Sequence, residues 1–427
     1  MLSTAHHVLS ESPLNSEPSA ADLVSSFLTP IQTAYNRNHG SPVPSSNSWT
    51  LSVSSEVQGV KLDCGRTSWS EADVRRAEKT EAVVALTCAG NRRVEMNREK
   101  EVEGLQWGGT AIANCLFGGP LLRDVLEEAG ITLEKLEQQG LADNLHLHFE
   151  TTQNCQDDDY FGASLPVRLA LDPSRPVLLA HEQNGEPLTQ EHGAPVRLVV
   201  PGVIGARSVK WLERIVLRDH ESDNFYQQRD YKVLPPQATP ETKEKYLKQT
   251  PALMEYPLNS EICSPSEGDV LTFSSQKPSL KFKGYAMGAH GIPISRVHLA
   301  LLPLPASAPP SSTAVSEEHA IRLAASALPS SAWTSASLVS TPEGGEKQWQ
   351  TGERNWGWTL FSAEVPVGEE VRKLTKTSAS GGEGAEVALV CYAEDLDGNR
   401  QELQTEWNLR GVAEASWSVV KVRMKME

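Results

Sequence analysis

In Leu86-Thr87-Cys88-Ala89-Gly90-Asn91-Arg92-Arg93 a cysteine ends an apolar run and is followed at once by a glycine turn and two arginines. The run before it, Val83-Val84-Ala85-Leu86-Thr87, has the length and β-branched content of a buried strand. Cationic neighbours and exposed backbone N–H groups lower a thiol's pKa, which suits a nucleophile or a metal ligand. An isolated cysteine so placed is more often a structural thiol beside an arginine pair that faces water. Other loops decide between the two.

Tyr35-Asn36-Arg37-Asn38-His39 precedes Gly40 and the Pro42-Val43-Pro44 turn, so its polar side chains sit on a loop. His192-Gly193-Ala194-Pro195-Val196-Arg197 and Gly205-Ala206-Arg207-Ser208-Val209-Lys210-Trp211 place more cations around turns. Singly, each is a solvated loop. Together they gather Arg, Lys and His near strand ends in an acidic protein, 39 Lys plus Arg against 55 Asp plus Glu, net charge -16. Positive charge concentrated against that trend suggests a pocket for a small, multiply charged anion. The global charge excludes general nucleic-acid binding, and no run approaches the roughly 18 to 20 apolar residues of a membrane helix.

The 427 residues are too many for one core and suit two domains. Residues 1–30 are Ser/Pro/Glu-rich and read as an arm that drapes over the body or is partly mobile. Up to about residue 220 strands and helices mix. Leu145, Leu147 and Phe149 alternate with His146, His148 and Glu150, a strand whose polar face is expected in solvent. Leu121, Leu122, Val125 and Leu126 recur at helical spacing before Gly130, and Val177–Ala180 and Val196–Val200 read as strands. Prolines 235, 236, 240, 251 and 257 mark a linker. Beyond it helical periodicity nearly disappears, and runs at 270–273, 280–285, 294–302, 358–365, 387–392 and 416–424 predict a β-sandwich. Low-complexity inserts at 306–331 and 378–384 are expected as surface loops, and Trp356 and Trp358 as sandwich residues. The Asp157–Asp159 run reads as a solvated turn, and the six scattered cysteines as intracellular thiols.

The Cys88-Ala-Gly-Asn-Arg-Arg93 stretch, the Arg37-Asn38-His39 loop, the His192-Gly-x-Pro-x-Arg197 turn and Gly205-Ala-Arg-x-Val-Lys-Trp211 resemble sulfite oxidases in order and spacing. Trp107, Tyr160–Pro166, Gln227–Lys232 and Trp407–Val412 extend the likeness, which runs from about residue 25 to the C-terminus. It is a likeness to eukaryotic, fungal-type sulfite oxidases without a haem domain. It implies an α+β molybdopterin-binding domain (sulfite oxidase fold) followed by an immunoglobulin-like β-sandwich. The expected division is an arm at 1–30, a catalytic domain at 31–245 and a dimerisation domain at 246–427.

The resemblance also implies a molybdenum–molybdopterin cofactor with Cys88 as its metal ligand, a soft thiolate of the kind molybdenum favours. Ser208, Val209 and Lys210 would meet the cofactor's phosphate. Tyr35, Asn36, Arg37, Asn38, His39, His192 and Arg197 would hold the rest of it. Where relatives place an Asp soon after the Phe149-Glu150 strand, this chain has Gln153, with Asp157–Asp159 slightly later, and that contact stays open. The implied substrate pocket contains Arg37, Arg93, Trp107 and Tyr231, with Arg354 as the basic residue supplied by the second domain. Arginine forks suit sulfite and sulfate because they pair with oxyanions through parallel hydrogen bonds. The implied reaction is attack by the sulfite sulfur lone pair on a molybdenum oxo group. Sulfate leaves, and electrons pass to oxygen or an external acceptor such as cytochrome c.

Other expectations follow. No His-Pro-Gly-Gly signature occurs, so no haem is expected in this chain, and a soluble homodimer is. The compartment is intracellular: mitochondrial or peroxisomal by resemblance, cytoplasmic by the lack of a recognisable address. The rival readings are a nitrate-reductase-type molybdenum oxidoreductase, which shares the scaffold, and a non-catalytic cofactor-binding protein.

Overall fold

The computed structural model describes residues 6–426 apart from 45, 47, 63–65, 275, 277, 305–315, 342–352 and 379–383. In the first half, the Val/Ala/Leu run becomes the strand Thr80–Thr87, paired antiparallel with Ile112–Gly119 in a four-stranded sheet. Thr87 faces Ile112 at the end of that ladder, so Cys88 is the first residue released from it. A five-stranded sheet orders Ser68–Ser70, Thr50–Ser55, Arg214–Arg218, His146–Glu150 and Gly162–Pro166. Its central strand runs parallel to one neighbour and antiparallel to the other. The helix Leu122–Glu128 buries Leu122, Val125 and Leu126 on one face, and Gly130, at φ 89°, ends it in a conformation other residues adopt with strain.

The second half is two packed sheets. One carries Asn259–Ser264, Ser279–Met287, Thr359–Pro366 and Ser337–Val339; the other carries Val270–Phe273, Ser418–Met426, Ala385–Asp395, Ile294–Pro303 and Thr334–Ser335. Phe282, Val297, Leu389 and Val422 meet in the core between them. The six runs read as strands in the second half all lie within or overlap strands.

Several expectations need correction. The insert at 306–331 is not all loop: among its described residues Glu317–Ser326 is a helix, capped by Ser316, with Ile321 and Ala325 against Ala300 and Val390. A second helix, Glu369–Ser378, also interrupts the β-rich half, and 379–383 lie outside the described residues. His148 and Glu150 are buried, not solvated. Glu150 pairs with Arg214 and Arg218, and His148 meets the His220 carbonyl at 2.8 Å, so charge pairing replaces water on that face. Trp358 does not sit inside the sandwich. It joins the first half's core, stacks on Tyr285 and donates its indole N–H to the Phe27 carbonyl. Trp356 packs under the Arg175 guanidinium, also a first-half residue.

The N-terminal segment is part of the body. His7–Glu11 and Leu14–Glu17 form an antiparallel hairpin, and Asn15, Ser16 and Glu17 are buried. Residues of the two halves also share charge across a dry contact: fully buried Arg92 pairs with Glu95 and Glu261, and Arg322 pairs with Glu95.

Candidate functional site

Hydrogen bonds fix the turn that carries Cys88. Cys88 N–H donates to Ala111 O, Asn91 N–H to Cys88 O, and Arg93 N–H to Gly90 O. The buried Asn91 amide accepts from Ala111 N–H at 2.9 Å and donates to the Tyr285 hydroxyl at 2.9 Å, tying the turn to a second-half strand. Arg92 takes a left-handed φ of 65°, and the helix Arg93–Glu99 starts immediately after it. Side chains 92 and 93 therefore diverge. Arg92 enters the contact between the halves and Arg93 enters a cavity.

Two cavities meet at Cys88. The first, about 800 Å³ including its open mouth, is lined by Tyr35, Arg37, Asn38, His39, His192, Arg197, Ser208 and Lys210, with Gln153 and Gln183. The second, about 1000 Å³, is lined by Arg37, Arg93, Trp107, Tyr231 and Arg410, with Ser10, Asn15, Asp157 and Asp230. Cys88, Arg37, Asn38, His39 and Tyr231 line both. Most of the residues expected at the site from sequence are therefore brought together. Three are not.

Asn36 lines neither cavity; its amide donates to Ser16 Oγ at 3.2 Å. Val209 is buried in the core, its carbonyl accepting from Leu198 N–H. Arg354 is also misplaced: it donates to the His290 carbonyl at 2.7 Å and lines neither cavity. The cation that reaches the second cavity from the second half is Arg410. It lies within Trp407-Asn-Leu-Arg-Gly-Val412, a stretch already notable in the sequence, so a signal was present. What that stretch does not reveal is where its arginine points. Gln153 answers part of the open question: its amide donates to Gly40 O and Ser41 O, bracing the loop behind His39, while Asp157 stands at the second cavity.

Among the described residues, Arg37, Arg93, Arg197 and Lys210 have no ion pair with a carboxylate; carbonyl oxygens take their hydrogen bonds instead. Arg93 donates to Arg410 O at 3.0 Å, Gly411 O at 3.1 Å and Leu105 O at 2.8 Å. Its guanidinium lies against Gly90 and Gly104, where an added Cβ would come within 2.7 Å of it. Only glycines leave that slot open.

These crowded cations disfavour one another's charge. Burial and the neighbouring Arg197 and Arg37 hold the Lys210 amine well below its usual range. Burial brings Arg197 down to about 10, and burial with Lys210 and Arg197 pushes His192 down to about 3. Burial lowers His39 likewise, with Arg37 and Lys210 adding to it. Neutral His39 Nε2 faces the Tyr231 hydroxyl at 2.7 Å, and burial raises the Tyr231 pKa.

Buried polar atoms without a hydrogen-bond partner lie at the same place: His192 Nε2, Arg197 Nε, Gln183 Oε1 and Trp107 Nε1. Each such group costs about 1–3 kcal/mol if left unpaired. A phosphorylated group in the first cavity and an oxyanion in the second would satisfy the charge and the vacant donors Arg197 Nε and Trp107 Nε1, and a donor carried by the first group would satisfy the acceptor Gln183 Oε1. Cys88, which lines both cavities, offers one soft metal bond; Cys115 lines only the first and is engaged by Gln183 Nε2 at 3.1 Å. Among the described residues no cluster of His, Cys, Asp and Glu forms an all-protein metal cage. The residues fit a metal brought in by an organic cofactor.

Comparison with known proteins agrees. A family model described as oxidoreductase molybdopterin binding domain matches residues 39–226, and one described as Mo-co oxidoreductase dimerisation domain matches 250–302. A sulfite oxidase of Arabidopsis thaliana is 32% identical over 424 residues, 98% of this chain and 93% of that protein. The mitochondrial sulfite oxidase of Drosophila melanogaster is 33% identical over 417 residues, 97% of this chain, which spans 62% of the fly protein. The fold also matches the sulfane dehydrogenase SoxCD from Paracoccus pantotrophus, with a TM-score of 0.65 at 21% identity, covering 98% of this chain and 87% of that one. With a buried thiol between a cation-lined cleft and an arginine pocket, and relatives matched along nearly its whole length, the chain belongs to the sulfite oxidase family of molybdenum-dependent, molybdopterin-binding oxidoreductases.

Proposed function

We propose that this protein is a sulfite oxidase: sulfite and water become sulfate, two protons and two electrons, the electrons passing to oxygen or an external acceptor such as cytochrome c. One observation carries the reading. The guanidinium groups of Arg37, Arg93 and Arg410 and the Trp107 indole line a single cavity that ends at Cys88 and Tyr231. The molybdenum–molybdopterin group, when bound, supplies the two-electron redox chemistry.

The chain's own residues supply the rest. Cys88 offers the metal a thiolate, while Arg197, His192, Ser208 and Lys210 hold the cofactor's phosphate, and Arg37, Asn38 and His39 the face nearer the substrate. Arg37 and Arg93 hold the oxygens of a small oxyanion through charge-assisted hydrogen bonds and leave its sulfur free to face the Cys88 end of the cavity, while Arg410, ion-paired with Glu103 and Asp230, borders the site. Trp107 Nε1–H adds a neutral donor. Arg37 Nη2 donates to His39 Nδ1, so neutral His39 carries its proton on Nε2 and donates it to the Tyr231 hydroxyl, which keeps its own O–H as a protic group at the thiol end, suited to moving a proton as water enters. Asp157 lines the same cavity and helps release doubly charged sulfate by opposing its charge, whereas the charge of Asp230 is taken up by Arg410.

The division into a catalytic part at 31–245 and a dimerisation part at 246–427 belongs to the same proposal, with a homodimer as the working unit. Light scattering should give about twice the 46.6 kDa chain mass. A mitochondrial compartment is favoured by the name of the fly relative. The deciding experiment compares sulfite oxidation with nitrate reduction on purified, cofactor-loaded wild type and Cys88→Ser, using oxygen, cytochrome c and ferricyanide as acceptors. Sulfite turnover in wild type, lost in Cys88→Ser with pterin retained, supports the proposal. Nitrate reduction without sulfite turnover replaces it with the nitrate-reductase reading.

A further inference from the structure

The N-terminal hairpin reaches the oxyanion cavity. Ser10, Ser12, Pro13 and Asn15 line it together with the arginines. Asn15 is 2% exposed. Its Oδ1 accepts from Arg37 Nη1 at 3.2 Å and from the Asn38 backbone N–H at 2.9 Å, and its Nδ2 donates to the Pro13 carbonyl at 3.0 Å. Only this orientation of the amide serves all three partners, because the reverse would point an NH₂ at two donors. Around it the hairpin is stitched to the same loop. Asn38 Nδ2 donates to Leu14 O at 2.9 Å, and Ser16 and Asn36 exchange both backbone hydrogen bonds.

The direction of Arg37 is set by three contacts: Asn15 Oδ1, the Asn38 carbonyl and His39 Nδ1. None of them is an anion. We infer that Asn15 is a positioning residue that aims the Arg37 guanidinium at the substrate oxyanion while leaving its charge uncompensated, an inference resting on the sulfite oxidase reading of this pocket. The residue type follows from the task. An aspartate offers the same two acceptors but cancels the charge that binds the anion; an alanine leaves the charge but frees its direction. A segment that reads in sequence as an arm thereby becomes a wall of the substrate site.

The test uses the full, cofactor-loaded protein with Asn15→Ala and Asn15→Asp. Asn15→Ala should raise the sulfite KM by about tenfold with a smaller change in kcat, and Asn15→Asp should raise it further although it keeps both acceptors. A purely structural role predicts that KM follows the loss of unfolding temperature in each variant, since both also lose the Nδ2 donor to the Pro13 carbonyl, and does not single out Asn15→Asp by its charge. Sulfate protection against thermal unfolding gives a readout independent of turnover: it should weaken in both variants, more in Asn15→Asp. Both variants within twofold of wild type in KM and in sulfate protection overturn the inference and leave the functional proposal standing. Wild type without sulfite turnover, but with sulfate protection that the variants lose, upholds the Asn15–Arg37 pairing and refutes the functional proposal. Absence of both sulfite turnover and sulfate protection in wild type overturns both.

Discussion

Arg93→Gln removes a fixed charge from the oxyanion pocket and should act on substrate binding before anything else. In the wild type the guanidinium spends Nε on Arg410 O and Gly411 O and Nη1 on Leu105 O, which leaves Nη2 for the cavity. A hydrogen bond from a charged group is worth about 1.5–3 kcal/mol. Each 1.4 kcal/mol is about a factor of ten, so the sulfite KM should rise by about 10- to 150-fold. Inhibition by sulfate should weaken in parallel, because both anions lose the same donor. The assay is initial-rate sulfite oxidation with ferricyanide, with the unfolding temperature and pterin content measured on the same preparations. Gly90→Ala is a second route to the same end: its Cβ would stand 2.7 Å from Arg93 Cζ, so the guanidinium must move although its charge remains. A folded, pterin-loaded Arg93→Gln with sulfite KM and sulfate inhibition near wild type refutes the reasoning.

Arg410→Gln should raise the sulfite KM in the same direction while Arg354→Gln leaves it near wild type, since only Arg410 lines the cavity; steady-state kinetics on the pair decides which arginine the second half contributes. Arg92→Met should strip Glu95 and Glu261 of a fully buried partner. Breaking a buried pair costs about 3–5 kcal/mol, or roughly 6–20 °C in a thermal unfolding scan, and an unchanged scan would count against an ionic joint between the halves. His192, held at about 3 when folded against 6.5 for the free side chain, binds more protons in the unfolded chain between those values. Stability of the cofactor-free protein should therefore rise with pH from about 3 to 6.5 and level off above, and His192→Gln should flatten that slope in pH-dependent denaturant unfolding.

Short-range pattern was enough for much of this. Val83–Thr87 is apolar and β-branched, and a strand with Cys88 at its tip follows from those residues alone. The short runs of the second half announce strands because helical spacing is lost there and the runs are separated by turn residues such as Asp397-Gly398. Loop motifs around Arg37, His192 and Lys210 name a cation-rich site, because nothing in an acidic chain explains such clusters except an anion. The failures have another origin. Ala/Ser/Glu-rich 317–326 looks like filler until Ala300 and Val390 offer it an apolar face. His148 reads as solvated because the Arg218 that covers it lies 70 residues away. Arg354 and Arg410 are equally basic and both flank tryptophan-containing stretches, so local sequence does not rank them. Which one enters the pocket depends on how the second half seats on the first, and that is decided by contacts such as Arg93 Nε–H to Arg410 O, spanning 317 residues. Periodicity and residue chemistry act over a few positions and are written in the chain; direction at a shared pocket is set by packing between distant segments, and only the folded structure holds it.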